Sequence, residues 1–277
     1  MPLTLLPASQ FTIEELTDAY NQTRVDYLVP MPLNAARLRE YIQNYDVDMP
    51  RSVVALDGNE IRGINMLGVR AGRTWITRLG VLPAKRRQGT GEAMMHYLLE
   101  AADQLGYPFM ILEVIKDNVP AHTLFKKLAF NETRELLILR RAPDGQYESP
   151  QGQTNWLAGK DALVLLESYP EPLAWTNQVE TYRNAGDAQA LQVELMDGSC
   201  GWLVFRQQRF YLSHFVFHTT AGDPVRVANA LLAQVHNRFT QLDTHTENIA
   251  ADDPHLPAFW NFSYFEAFRR IEMVRQA

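Results

Sequence analysis

Between residues 85 and 91 the chain reads Lys-Arg-Arg-Gln-Gly-Thr-Gly, three cations and two glycines placed just ahead of a helical pattern. The first turn of a helix presents backbone N–H groups without intrahelical partners and carries a partial positive charge, so it attracts anions. Without a Cβ at Gly89 and Gly91 the turn can aim several of those groups inward, while Lys85, Arg86 and Arg87 add full charges. The chemistry this suits is the holding of a pyrophosphate. It is neither the dinucleotide fingerprint GxGxxG nor the GxxxxGK[ST] loop of nucleotide hydrolases, because the spacing differs and no Lys-Ser/Thr pair follows Gly91. The plain alternative is a tight strand-to-helix turn with solvated arginines around it.

Such a turn has to be delivered by a strand and braced by packed elements. Residues 12–24 and 34–45 have helical spacing, with Thr12 and Asn34 as N-caps. SVVALDG, EIRGINMLGVR and TWITRLGVL follow, rich in β-branched residues and separated by turn signals at Asp57-Gly58-Asn59 and Ala71-Gly72-Arg73. They predict a three-strand antiparallel meander. A helix is expected from about Gly89 to Leu105, with Met94, Leu98, Ala101 and Leu105 on its apolar stripe. FMILEVI (109–115) then reads as a buried strand, AHTLFKKLAF (121–130) as a short helix and RELLILRR (134–141) as a last strand, for the order ααβββαβαβ.

Residues 142–156 (APDGQYESPQGQTNW) change texture towards Pro, Gly, Gln and Ser, and the expected linker is 146–156. Beyond it, MDGSCGWLVF and RFYLSHFVF look like strands, DPVRVANALLAQVHNRF a helix, THTENIA a strand, PAFWNFSYFEAF a helix and RRIEMVR a final strand. Val81 and Val216, Phe130 and Phe265, and Arg134 and Arg269 are each 135 positions apart without a gap. Two copies of one fold follow from that register. Under the same offset Gly89 and Gly91 become Pro224 and Arg226, and Asp223-Pro224 reads as an N-cap followed by a first-turn proline. A phosphate would meet an anion already in place there, so one phosphate site is expected, in the first half. The second-half aromatics Trp202, Phe205, Phe210, Tyr211, Phe215 and Phe217 are expected to be core.

Arg86, Gly89 and Gly91 match the Q/R-x-x-G-x-G/A acyl-CoA signature, and the chain resembles the GNAT acetyltransferase superfamily. LEVIKDNVPAHTLFKKLAF is similar to that superfamily's second signature through Asn118, Ala121, Leu124, Leu128 and Phe130. The resemblance spans about residues 10–141 and, through the repeat, extends to the second half, as in a bacterial tandem GNAT protein. It implies an α/β (α+β) fold class: two tandem GNAT-like acyl-CoA N-acyltransferase folds, each a mixed, largely antiparallel sheet flanked by helices. The implied domains are 1–145 with the acetyl-CoA loop, the linker 146–156, and a degenerate GNAT-like domain at 157–277. Acetyl-CoA is the implied co-substrate, without a metal. Leu79 and Val81 would pair their backbone with the pantetheine arm. Arg86, Arg87, Gln88, Gly89, Thr90 and Gly91 would hold the pyrophosphate, and Asn118 would sit near the pantetheine where two strands splay. Phe125 stands at the cofactor-side position where the superfamily often has a tyrosine that protonates the leaving thiolate.

A general base must take a proton from the attacking ammonium. TWITRLGV supplies no carboxylate, and Arg78 is its charged group. Glu113 is the candidate catalytic residue, with Asp46, Asp48, Asp26 and Tyr27 behind it, and each has a plain structural alternative as a paired strand residue, a cap or a solvated loop group. The resemblance implies acetyl transfer to a primary amine of a small molecule or peptide by direct attack. The alternative class is a non-catalytic acyl-CoA-binding or regulatory module, motivated by Phe125 and the missing strand carboxylate.

Composition narrows the partners. Of the residues 46% are hydrophobic and 21% charged, without an apolar run long enough to span a bilayer, so no membrane partner is expected. A net charge of −6 disfavours nucleic acid. Cys200, the single cysteine, can form neither an internal disulfide nor a zinc site by itself. MPLTLLPASQ lacks a basic stretch before an apolar one, and a cytoplasmic location is the expectation. The acceptor's identity and the oligomeric state are left open by the sequence.

Overall fold

The computed structural model describes residues 3–148 and 151–276 of the chain. Its contacts divide them into two compact units: residues up to Thr133 together with those from Ile271, and Arg134–Arg270.

The first unit opens with β1 (Leu3–Pro7), a strand the sequence reading did not mark, and continues with α1 (Ile13–Gln22) and α2 (Ala35–Asn44). Thr12 caps α1 through a reciprocal pair with Glu15, each satisfying the other's backbone N–H, and Asn34 caps α2 by accepting from Arg37 N at 2.9 Å. The meander follows as β2 (Val53–Asp57), β3 (Glu60–Arg70) and β4 (Arg73–Val81). Next come α3 (Thr90–Leu105), β5 (Phe109–Ile115) and α4 (Val119–Lys127). The strand order is β1-β2-β3-β4-β5, antiparallel except for the parallel β4–β5 pair.

Strand alternation builds two cores, one on each face of this sheet. Val53, Ala55 and Leu67 face α3 and α4, where they meet Met94, Leu98, Phe125 and Phe130. Val54, Ile64 and Met66 face α1 and α2, where they meet Leu16 and Leu38.

The second unit begins within β6 (Asn131–Arg141) and runs through β7 (Gly152–Ala158), α5 (Lys160–Glu167), α6 (Val179–Ala185), β8 (Ala188–Leu195), β9 (Cys200–Gln207) and β10 (Tyr211–Ala221). It then repeats the earlier sequence of elements with α7 (Pro224–Arg238), β11 (Asp243–Ala250), α8 (Leu256–Asn261) and β12 (Phe265–Gln276). The 135-residue offset maps β4 to β10, α3 to α7, β5 to β11, α4 to α8 and β6 to β12 within a few residues. The strand order β6-β11-β10-β9-β8-β7 places a parallel β10–β11 pair where the first unit has β4–β5.

The last strand of each unit comes from the other half of the sequence. Leu137 and Leu139 of β6 lie in the core of the second unit, and Ile271 and Met273 of β12 lie in the core of the first, next to β5. The sequence reading kept RELLILRR with the first half, because a strand following its helix pairs locally by default. β7 also starts at Gly152, inside the segment read as linker.

Candidate functional site

The parallel pairing of β4 with β5 runs from Arg73 opposite Phe109 to Ile76 opposite Leu112 and stops there. A bulge explains the break. Register against β3 slips between Ile64 and Met66, and Arg78 sits at φ +59°, a left-handed conformation that costs a non-glycine residue free energy and turns the strand. Leu79–Val81 therefore leave β5 and present an open strand edge. Leu82 N donates to Arg62 O on the β3 side at 2.9 Å, so the alternation of the backbone turns the Val81 N–H to the opposite edge, into the opening.

Two arginines lie along that edge. Arg24 NH2 donates to the Leu79 carbonyl at 3.2 Å, and Arg86 Nε to the Val81 carbonyl at 3.2 Å. Gly80 makes the first approach possible, since a Cβ there would run into the Thr23 side chain and lie 2.8 Å from Arg24 NH1. Arg86 also grips Asp26 with both terminal nitrogens, at 2.8 and 2.7 Å, and donates to Thr23 O at 3.0 Å. The hydrogen bonds from Arg86 hold the Asp26 carboxyl below its usual range.

The glycine loop follows. Lys85 is turned onto Asp57 at 2.8 Å, and Gln88 Oε1 accepts from Arg62 at 2.6 Å. Arg87, at φ +63°, is exposed and has no ion pair among the described residues. Gly89 is the residue before the helix, at φ +78°, with nothing within 4 Å of where a Cβ would stand. Left-handed backbone at two positions is how the chain turns from β4 into α3, and the first position tolerates an arginine at a cost that glycine avoids at the second. Thr90, the first helical residue, is buried, and its hydroxyl has no partner among the described residues. The amides of Gly89–Gly91 and the Thr90 hydroxyl thus form an uncapped helix start beside the open edge, with no side chain closing it.

At the other side of the opening, Asn118, three residues past the end of β5, caps α4, its Oδ1 accepting from Ala121 N at 3.4 Å while Nδ2 donates to the Tyr27 hydroxyl at 3.3 Å. Phe125 points away into the core, 5% exposed and edge-on to Phe130, and brings no polar group to the opening. Tyr20, Tyr41, Arg78 and Thr77 gather around the bulge: Arg78 NH1 donates to the Tyr20 hydroxyl at 2.7 Å and lies 4.0 Å over the Tyr41 ring, whose hydroxyl pairs with Thr77. Burial pushes the Tyr41 phenol up, with Arg78 opposing and the Glu113 charge adding to it. Asp46 and Asp48 are committed elsewhere, to Arg70 at 2.7 Å and Arg51 at 2.6 Å. Arg24 and Tyr41, which lie beside this opening, were not singled out in the sequence, though Tyr20 stands in the last turn of α1 and Arg24 just beyond its end.

In the second unit the matching pair β10–β11 also stops early, after Ser213 opposite His245, beside a bulge with His214 at φ +56°. Its own side chains tie that region: Thr219 Oγ1 to His255 Nε2 at 2.9 Å, and His255 Nδ1 to Asp253 at 2.8 Å. Asp223 caps α7 by accepting from Arg226 N at 2.8 Å, as its sequence position predicts. Trp202, Phe205, Phe215 and Phe217 are core, whereas Phe210 is 67% exposed in the β9–β10 turn. Among the described residues no cluster of His, Cys, Asp and Glu is placed to hold a metal, and no helix is long and apolar enough to cross a membrane.

The mixed sheet, whose parallel strands part at a bulge in each unit and which carries a glycine loop opening the helix of the first unit, has the tandem GNAT type of fold. Residues 13–130 match the model of the Acetyltransferase (GNAT) family. The whole chain has the fold of a GCN5-related N-acetyltransferase from Sphaerobacter thermophilus (TM-score 0.75, 12% identity, 99% of this chain and 95% of that one). It is similarly matched by a tandem GNAT protein from the clavulanic acid biosynthesis pathway, solved without AcCoA (TM-score 0.67, 15% identity, 99% and 98%). A GCN5-related N-acetyltransferase from Kribbella flavida gives a TM-score of 0.58 at 16% identity, over 99% and 71%. No curated protein sequence matches the chain significantly.

Proposed function

We propose that this protein transfers an acetyl group from acetyl-CoA to a primary amine of a small molecule or peptide. The observation that carries the reading is the parting of β4 from β5 beyond Ile76 and Leu112, with the uncapped start of α3 at the far end of the opened edge. The Leu79–Val81 edge receives the pantetheine arm, and the amides of Gly89–Gly91, the Thr90 hydroxyl and Arg87 receive the pyrophosphate. The fit involves an exchange of partners. A pantetheine amide that reaches the Leu79 or Val81 carbonyl displaces the guanidinium now bonded there and leaves that cation for an anionic ligand.

The neutral amine nitrogen attacks the thioester carbonyl carbon and forms the C–N bond, and the oxygen that gains the charge is met by the Val81 N–H. Collapse breaks the C–S bond, and sulfur leaves with the electron pair. Phe125 has no proton to give, and the Tyr27 hydroxyl, held by Asn118, supplies it and is reprotonated from solvent. The surplus proton on nitrogen passes through Glu113 or directly to water.

The second reading, an acyl-CoA-binding module without turnover, is favoured by the burial of Phe125. Calorimetry with CoA and release of free thiol from acetyl-CoA across a panel of amines decide between them. Binding with thiol release supports the transferase, binding without release supports the module, and absence of binding overturns both.

A further inference from the structure

We infer that the amine accepted at this site carries an acidic group, a carboxylate or a phosphate, and that Arg24 holds it. The inference rests on the acyl-transfer reading above and narrows its acceptor.

Arg24 extends from the end of α1 across β4. NH1 donates to Thr23 Oγ1 at 2.9 Å and NH2 to the Leu79 carbonyl, while the guanidinium lies 4.0 Å over the Tyr20 ring and 5.3 Å from that of Tyr27. Its Nε is buried without a partner among the described residues. No carboxylate among them pairs with Arg24; its neighbours are Arg78 and the phenols of Tyr20, Tyr27 and Tyr41. Asp26, two residues further on, is taken by Arg86, and Glu113 acts on Tyr41.

The other enclosed arginines differ. Arg70 faces Asp46, Arg141 faces Asp144 and Arg206 faces Asp187, each within an ion pair. A half-buried guanidinium whose Nε is shut off from water, with a second one beside it and no carboxylate partner, is unfavourable on its own. Burial, reinforced by Arg78, accordingly holds Arg24 below its ordinary basicity. An anion delivered by the ligand removes that penalty, and the guanidinium, braced over the Tyr20 ring, offers the planar fork that a carboxylate or phosphate matches.

Position assigns the anion to the acceptor rather than to CoA. Along the open edge of β4, Arg86 takes Val81, next to the glycine loop, whereas Arg24 takes Leu79, next to the bulge and the Tyr20, Tyr41 and Arg78 group. The loop has its own uncommitted cation in Arg87 for the phosphates of CoA.

Thiol release from acetyl-CoA is to be measured with matched amines: leucine and leucinamide, 4-aminobutyrate and butylamine, phosphoethanolamine and ethanolamine. For at least one pair the acidic member is expected to show kcat/KM about tenfold to a hundredfold higher. Arg24→Gln collapses that ratio toward one, and Arg24→Lys, which keeps the charge but not the fork, retains part of it; thermal unfolding checks that both variants fold. Equal rates within every pair, or a ratio that survives Arg24→Gln, overturn the proposal. So does a loss of affinity in Arg24→Gln that is larger for CoA than for pantetheine, which would give the cation to the cofactor's phosphates. Thiol release with neutral amines but with none of the acidic ones overturns the proposal alone, whereas no release with any amine, or failure to bind CoA, overturns the reading beneath it.

Discussion

Arg86 joins Asp26 through two parallel hydrogen bonds of 2.8 and 2.7 Å, and with its third donor holds Val81 of β4. A residue read from sequence as a phosphate ligand is thus, in the free protein, a clamp between the end of α1 and the edge of the opening. Both partners are well exposed, with side chains 39% and 50% accessible, so the pair adds little to stability. Arg86→Ala should shift the thermal midpoint only slightly yet raise KM for acetyl-CoA about tenfold, the scale of one charge-assisted contact. Asp26→Asn, which frees Arg86 without removing it, should leave that KM within about threefold.

Gly89 and Gly91 separate backbone from space. Gly89→Val meets no atom, but forces a β-branched residue to φ +78°, a strain of about 1–2 kcal/mol that should appear in urea unfolding together with weakened CoA binding. Gly91→Ala places its methyl 3.6 Å from Leu124 and 3.8 Å from Val81, ordinary contact distances, and should leave the unfolding midpoint unchanged or raised.

Tyr27→Phe tests the proton donor. If the Tyr27 hydroxyl protonates the departing sulfur, kcat should fall about tenfold or more with KM for acetyl-CoA nearly unchanged. An unchanged kcat returns the role to solvent, which can serve because an ordinary thiol ionises near about 8.5.

Two histidines of the second unit make acid stability predictable. Burial pushes His214 and His236 each down to about 3; Arg206 and Arg270 act in the same direction on the first and Arg141 on the second, with Glu247 and Asp144 opposing. Both are therefore neutral when folded and take up protons on unfolding at any pH between about 3 and the unfolded value of about 6.5. Their contribution is fully present above pH 6.5 and is lost as pH falls toward 3. Each adds a slope of about 1.4 kcal/mol per pH unit in that window. Urea unfolding between pH 7 and pH 4.5 checks it, and His236→Gln should flatten the dependence by about one proton.

Met273 lies fully buried in the core of the first unit although it sits near the end of the sequence. Met273→Ala should cost about 2–5 kcal/mol and lower CoA binding with it, a linkage that a chain folding as two sequence-contiguous halves would not show. Unfolding followed with and without CoA measures both effects.

Much of the arrangement was legible because it is local. Thr12, Asn34 and Asp223 announced their helices through short-range capping, the alternation in β2 to β4 gave the meander, and 135-residue spacing exposed the repeat. β1 was not legible, since Leu3–Pro7 acquires its role by pairing with β2 some fifty positions away.

The sequence by itself determined the glycine loop, the elements that flank it and the absence of a hydroxyl at Phe125, because side-chain chemistry and turn preference act over a few residues. Only the tertiary structure decided that Lys85, Arg86 and Gln88 are engaged by the protein while Arg87 is left over, that Arg24 reaches Leu79 without a counter-ion, and that β6 and β12 exchange units. Those outcomes depend on which groups meet across long separations in the chain, and strand exchange and charge pairing are settled by the packing of the whole core.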